Sequence, residues 1–283
     1  MDFRGLAVDD ILRAPAFILL YLILLVAAKW LKGLAISYKI NEELAQKDNL
    51  AVALAMSGYY LATAAIYVAA LYGPSKGLVH DLIVVGGYSL LGVALLNLAR
   101  WFIDRAVLRK FNDTYQLIVE KNTGVGAVHC GAYIATGLVV AGSISGEGGG
   151  VLSVIVFFML GQLSLLSFSL IYERLLPYDI HETLLGGNIA SGIAFAGHLV
   201  ALAIIIMNAS AGNFSDWGKD LTQFVIADVV AFVFLPALRL AMDRMIIPGQ
   251  SLGRKIRDDG NVGAALLEAT TAICFAIVLA FLI

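Results

Sequence analysis

Residues 49–58 read NLAVALAMSG and residues 188–197 read NIASGIAFAG, each opening on an asparagine and closing on a glycine nine positions later. The two stretches lie 139 residues apart. The same offset carries Asp81 to Asp220, Arg100, Asp104 and Arg105 to Arg239, Asp243 and Arg244, and Asn122 with Gly124 to Asn261 with Gly263. No gap is needed between these positions. One unit has been used twice, and such a repeat dictates the architecture before any local feature does.

What surrounds the repeat is apolar. Of the 283 residues 60% are hydrophobic and 14% charged, with a mean hydropathy of +0.87; a soluble domain is about half apolar and a quarter charged. Eight apolar stretches, at 14–36, 49–72, 80–101, 122–144, 151–173, 187–209, 220–243 and 261–283, are each long enough to cross a bilayer as a helix. Strands of a membrane barrel would alternate polar and apolar, and Ala264 to Ile283 does not. The expected fold is an all-α integral membrane protein with eight transmembrane helices, divided into repeats at 1–146 and 147–283. The net charge of −2 offers no basic field for nucleic acid, and Cys130 and Cys274 fall inside spans as small hydrophobes. The acidic start (Asp2, Asp9, Asp10) makes the first stretch an uncleaved span, since a signal peptide opens on basic residues.

Charge sets the orientation. Arg4, Arg13, Lys76 and Lys219 lie on one side, and all other lysines and arginines lie on the other. Positive loops stay in the cytoplasm, which places both termini in the periplasm. With four spans per repeat the second copy enters the membrane in the same sense as the first. The expectation is a pair of parallel four-helix repeats related by a pseudo-two-fold along the membrane normal.

Asn49, Asn122, Asn188 and Asn261 each open an even-numbered span at the cytoplasmic side, and asparagine is a favoured helix N-cap. Glycines at 58, 131 and 197 follow nine residues later and permit close helix approach, while Asn261 reaches Thr270. Glu42, Glu43, Glu120, Glu182 and Asp259 precede the caps. They suit helix N-termini at the water boundary, and a sharper reading makes them an acidic mouth that attracts cations. Loops 102–121 and 244–260 are long and basic. In the first, aromatic residues interleave with charges, so span 3 is expected to continue as an amphipathic helix at the interface. In the second, Pro248 and Gly249 break any such helix. The glycine-rich Gly146–Gly150 reads as a flexible junction between the repeats.

Ionisable groups inside a membrane mark function by default. His129, His198, Asp228 and Glu268 lie within spans. His129 and Glu268 are 139 apart and occupy equivalent places, so a two-fold would bring them to one interface, where a His–Glu pair holds or relays a proton. His198 stands against Tyr59 and Asp228 against Ser89, so the frame is repeated and the chemistry is not. His129 and His198 are also candidate ligands of a haem or metal, although no paired spacing on one helix supports it; no cofactor is the leading expectation. Gly212–Lys219 is not a phosphate loop, because Asp220 stands where Ser or Thr is needed, and His181–Glu182 lacks a second histidine at 185. Standard soluble-enzyme signals are absent, which leaves enzymatic activity open as the less favoured reading.

An acidic stretch followed by Asn49, Ala51, Ala53 and Gly58, with Glu120 two residues before Asn122, resembles the YjfL-like bacterial inner-membrane family, domain of unknown function 350, in two tandem copies. The second copy departs at Gly192 and Thr270. The resemblance implies a bacterial inner (plasma) membrane location and no activity. Three functions stay open, in this order: a small-cation or proton pathway or transporter at the repeat interface; a scaffold or sensor that recruits a cytoplasmic protein through the two basic loops; and a haem- or metal-bearing redox protein. The lipid bilayer is the expected partner, and a second copy of the chain is a further one.

Overall fold

A computed structural model describes residues 8–102, 112–245 and 251–283. Its helices are, in chain order, α1 (Val8–Ala35), α2 (Ile40–Ala45), α3 (Leu50–Ala70), α4 (Leu78–Phe102), α5 (Asp113–Ile118), α6 (Thr123–Ile144), α7 (Gly150–Leu175), α8 (Ile180–Leu185), α9 (Ile189–Ser210), α10 (Trp217–Met245), α11 (Leu252–Arg257) and α12 (Val262–Leu282). Eight of them, at the eight expected places, are long and apolar enough to span a membrane. Among the described residues there is no strand. The chain is a multi-pass, all-helical membrane protein.

The four even-numbered spans stand in a row, α3 on α6, α6 on α9, α9 on α12, with α1, α4, α7 and α10 against its sides. The two middle members are the most enclosed: 83% of the apolar spanning stretch of α6 and 72% of that of α9 is buried, against 11% for α1. The contact joining the halves, α6 on α9, is of the same kind as the contact within each half. Glycine explains the closeness. A side chain at Gly58 would run into the backbone of Cys130, one at Gly131 into Ala196, and one at Gly197 into Ala269. Counted from the asparagine that opens each helix, position +9 of one member meets position +8 of the next at all three junctions. Lipid offers no hydrophobic drive between helices, so such close van der Waals packing carries the association.

Between each pair of spans on the basic side lies one of the four short helices α2, α5, α8 and α11, which the sequence reading did not resolve from loop. Each is followed by a left-handed residue immediately before the asparagine: Asp48 (φ 48°), Lys121 (φ 48°), Gly187 (φ 77°) and Gly260 (φ 57°). The asparagine then caps the long helix, with Oδ1 accepting from Val52, Val125, Ser191 or Ala264 N–H. The amide nitrogen reaches sideways to the following unit. Asn49 Nδ2 donates to Leu117 O (2.8 Å), Asn122 Nδ2 to Leu184 O (2.6 Å), and Asn188 Nδ2 to Ile256 O (2.9 Å). One side chain therefore caps its own helix and fastens its unit to the next. Asn49→Ala is expected to cost about 2 kcal/mol, roughly half for the cap and half for the buried bond. Asn261→Ala removes a cap alone, at about 1 kcal/mol. Thermal unfolding of the purified variants checks the ordering.

The junction expected to be flexible is tied down instead. Glu147 O accepts from Phe214 N–H at 2.8 Å, and Glu147 N–H donates to Asn213 Oδ1 at 3.0 Å. Gly146 adopts φ 96° with no room for a side chain against the Gly212 carbonyl. The continuation of span 3 as an amphipathic helix falls on 103–111, outside the described residues, as does 246–250 in the second basic loop. The described parts of those loops contain α5 and α11, each capped by its own side chain, Asn112 and Ser251.

Candidate functional site

Among the described residues, two clusters of buried polar side chains lie within the spans, one in each half. In the second, Glu268 of α12 is fully buried, and its Oε1 lies 2.5 Å from Nε of Arg239 on α10. Tyr172 of α7 donates its hydroxyl to the same oxygen at 3.3 Å. His198 of α9, also fully buried, brings Nδ1 to 3.9 Å from Glu268, and its ring lies 4.6 Å from that of Tyr172, tilted 44° to it. His198 Nδ1 is hydrogen-bonded to Ala194 O at 3.0 Å. A carbonyl only accepts, so Nδ1 carries the proton, and in the neutral ring Nε2 is the basic nitrogen. Both His198 Nε2 and Glu268 Oε2 are buried without a hydrogen-bond partner. Arg239 has a second carboxylate within reach, Asp243 at 3.9 Å, which is itself held by Ser251 and Gly253 N–H.

In the first half Lys32 of α1 is buried beside the Tyr133 hydroxyl, to which it donates, and its ammonium lies 4.3 Å from the centre of the Tyr133 ring and 5.3 Å from that of Tyr59. Tyr59 donates to Ala28 O and accepts from Asn97. His129 brings Nε2 to 3.4 Å from Asp113 Oδ2.

His129 and Glu268 do not meet. The expectation of a shared interface fails because the spans form a row and α9 stands between α6 and α12; the histidine beside Glu268 is His198. Nor do His129 and His198 converge as a pair of ligands. Their partners are distinct, Asp113 and Tyr133 for one, Ala194 O, Glu268 and Tyr172 for the other. Among the described residues no three His, Cys, Asp or Glu side chains gather as a metal site would require.

Asp228, half-buried on α10, accepts from Ser164 of α7 at 2.9 Å, and its other oxygen is unpartnered. At the end of the spans away from the short helices lies a cavity of about 770 Å³, lined from both halves by Arg13, Phe17 and Tyr88 and by Ser153, Phe214 and Asp220. Asp220, Asp228 and Arg239 thus follow one another along α10. At 1.5 Å per residue they are spaced about 12 and 16 Å apart.

The acids before the caps are distributed one unit at a time and pair locally. Glu43 is buried and holds Lys47 (2.8 Å) and Asn49 (3.0 Å). Burial pushes the Glu43 carboxyl up, but the bonds from Lys47 and Asn49 outweigh it and hold it below the usual carboxylate range. Glu42 lies 3.4 Å from Lys47 and Asp259 2.7 Å from Lys255, while Glu120 and Glu182 are exposed.

Sequence reasoning missed Lys32, Tyr172 and Arg239 as members of the clusters. Arg239 carried a signal in its match to Arg100 but was counted as loop charge. Lys32 carried one in its place within the first expected span, 14–36, but was counted with the basic side; Tyr172 carried none.

The chain matches the family described as Domain of Unknown Function (DUF350) over residues 6–144 and again over 148–283. It is 25% identical over 249 residues to a UPF0719 transmembrane protein of Aquifex aeolicus (strain VF5), covering 85% of this chain and 88% of that protein. No solved structure matches it.

Proposed function

We propose that this chain, which belongs to the DUF350 family and carries its domain twice, conducts protons or small cations across the bacterial inner membrane through its second half. The reading rests on one observation: polar stations run the length of α10. They are the cavity with Asp220, the Asp228–Ser164 pair, and the Arg239–Glu268–Tyr172–His198 cluster. The route proposed from sequence alone ran between the repeats. The α6–α9 contact is closed by glycine against backbone, so the path runs between α7, α9, α10 and α12 instead.

The chemistry of such a path is the taking up and release of charge at Glu268. Ionised, Glu268 holds Arg239. Once it accepts a proton its hold on the guanidinium weakens, and Asp243 on the basic side becomes the competing carboxylate. A proton taken up at the unpartnered His198 Nε2 can be matched by release of the proton on Nδ1, the ring nitrogen that lies 3.9 Å from Glu268. The charge bias supports a cytoplasmic basic side and, with it, both termini in the periplasm.

Reconstitution into liposomes carrying a pH-sensitive dye, with potassium and polyamine flux measured in parallel, tests the reading. Flux above that of empty vesicles is expected, falling about tenfold or more in Glu268→Gln. Asp228→Asn, at a half-buried position that leaves the ion pair intact, is expected to lower flux too. Vesicles indistinguishable from empty ones, or wild-type flux in both variants, would sink the proposal.

A further inference from the structure

The row α3–α6–α9–α12 has two ends, and both carry the residues of an interior junction. Three interior junctions share one register. Position +9 of a helix meets +8 of the next (Gly58 on Cys130, Gly131 on Ala196, Gly197 on Ala269). Position +2 meets +4 (Ala51 under Gly126, Gly124 under Gly192), and +13 meets +15 (Ala62 under Gly137). At the far end, positions +2, +9 and +13 of α12 are Gly263, Thr270 and Cys274, all small and all exposed. At the near end, positions +4, +8 and +15 of α3 are Ala53, Ser57 and Ala64, also small and exposed or half-buried.

A polar pair independent of the small residues completes the match. In the first three units the asparagine amide donates to a carbonyl of the following short helix, at Leu117, Leu184 and Ile256. Asn261 caps Ala264 N–H, but no acceptor faces its Nδ2. The matching carbonyl of α2, Leu44 O, receives no donor.

We infer that this chain self-associates head to tail in the membrane, α12 of one copy packing on α3 of the next, with Asn261 of the first donating to Leu44 O of the second. The contact continues the interface that joins the two halves. It is heterologous, since the two faces differ, so it generates a ring if the rotation closes and an open file if it does not. Both copies have the same orientation in the membrane, as the parallel helices of the row require. The inference does not depend on the transport reading.

Cys274 provides the reporter. In the interior register its partner position is 64; the equivalent pair sets the Ala62 Cβ 2.5 Å from where a Cβ at Gly137 would stand, so two side-chain-bearing residues in that register meet once the helices sit about 1 Å further apart, at the Cβ separation of about 3.8 Å that a disulfide needs. Ala64→Cys in native membranes, oxidised with copper phenanthroline, is expected to give dimers, trimers and larger species that reductant returns to monomer. Replacing Cys274 by Ser in the same variant is expected to abolish them, and Thr270→Trp to reduce them about fivefold or more. Ala53→Cys with Gly263→Cys, the +4 and +2 pair, is a second route should the first variant not accumulate. Monomer alone after oxidation, an equal ladder from Ile18→Cys on lipid-facing α1, or crosslinking that survives loss of Cys274 would each overturn the inference.

Discussion

Arg239→Leu, with Glu268 left in place, is expected to destabilise the protein by about 3–5 kcal/mol, the loss typical of a buried ion pair that keeps one charge and loses the other. Glu268 is fully buried and Arg239 nearly so, and their 2.5 Å contact is the shortest in the cluster. Removing the guanidinium leaves a carboxylate whose remaining support is the Tyr172 hydroxyl at 3.3 Å. Replacing both, Arg239→Leu with Glu268→Leu, removes the unpaired charge together with its partner and should recover most of the loss, because apolar residues of similar volume replace such pairs at little cost. Thermal unfolding of the two single variants and the double variant in one detergent gives the cycle. Equal losses in Arg239→Leu and the double variant would mean that the pair is not what the cluster holds. The recovered double variant would still conduct nothing if Glu268 carries the proton. A stable, silent protein is therefore the most informative result.

The same cluster shows where the sequence stops being legible. Span lengths and the asparagine caps could be read because bilayer thickness and the free N–H groups of a helix start impose them locally. Glu268 and His198 could be read as candidates because any ionisable group inside a span is costly. What could not be read is which spans are neighbours. A charge count gives the direction of each span and nothing about its place in the plane, so His129 and Glu268, equivalent in sequence, were expected at one interface and are separated by α9. Arg239 and Lys32 were assigned to the basic side because long cationic side chains near helix ends default to the boundary. Both are buried: Lys32 lies over aromatic rings, and Arg239 reaches inward to α12. The four short helices escaped notice because six residues are too few to show a helical period.

Gly131→Leu is expected to cost about 3 kcal/mol or more, toward and beyond the upper end of what overpacking usually costs, and to reduce the folded yield sharply. Position 131 is where the first half rests on the second. The atoms a side chain would meet there are the Cβ, Cα and carbonyl oxygen of Ala196, so no flexible side chain can move aside. Relief requires α6 and α9 to separate, which also strains the Asn122–Leu184 bond at the end of the same junction. Thr270→Leu is the matched control. It occupies the same register position, +9, on α12, but faces away from the row. The single chain should keep its unfolding free energy within about 0.5 kcal/mol, while crosslinking through Cys274 and position 64 falls. One position in the repeat then decides two different things: at Gly131 whether the halves join, and at Thr270 whether copies do. A Thr270→Leu variant as unstable as Gly131→Leu would show that α12 already packs against something within its own chain.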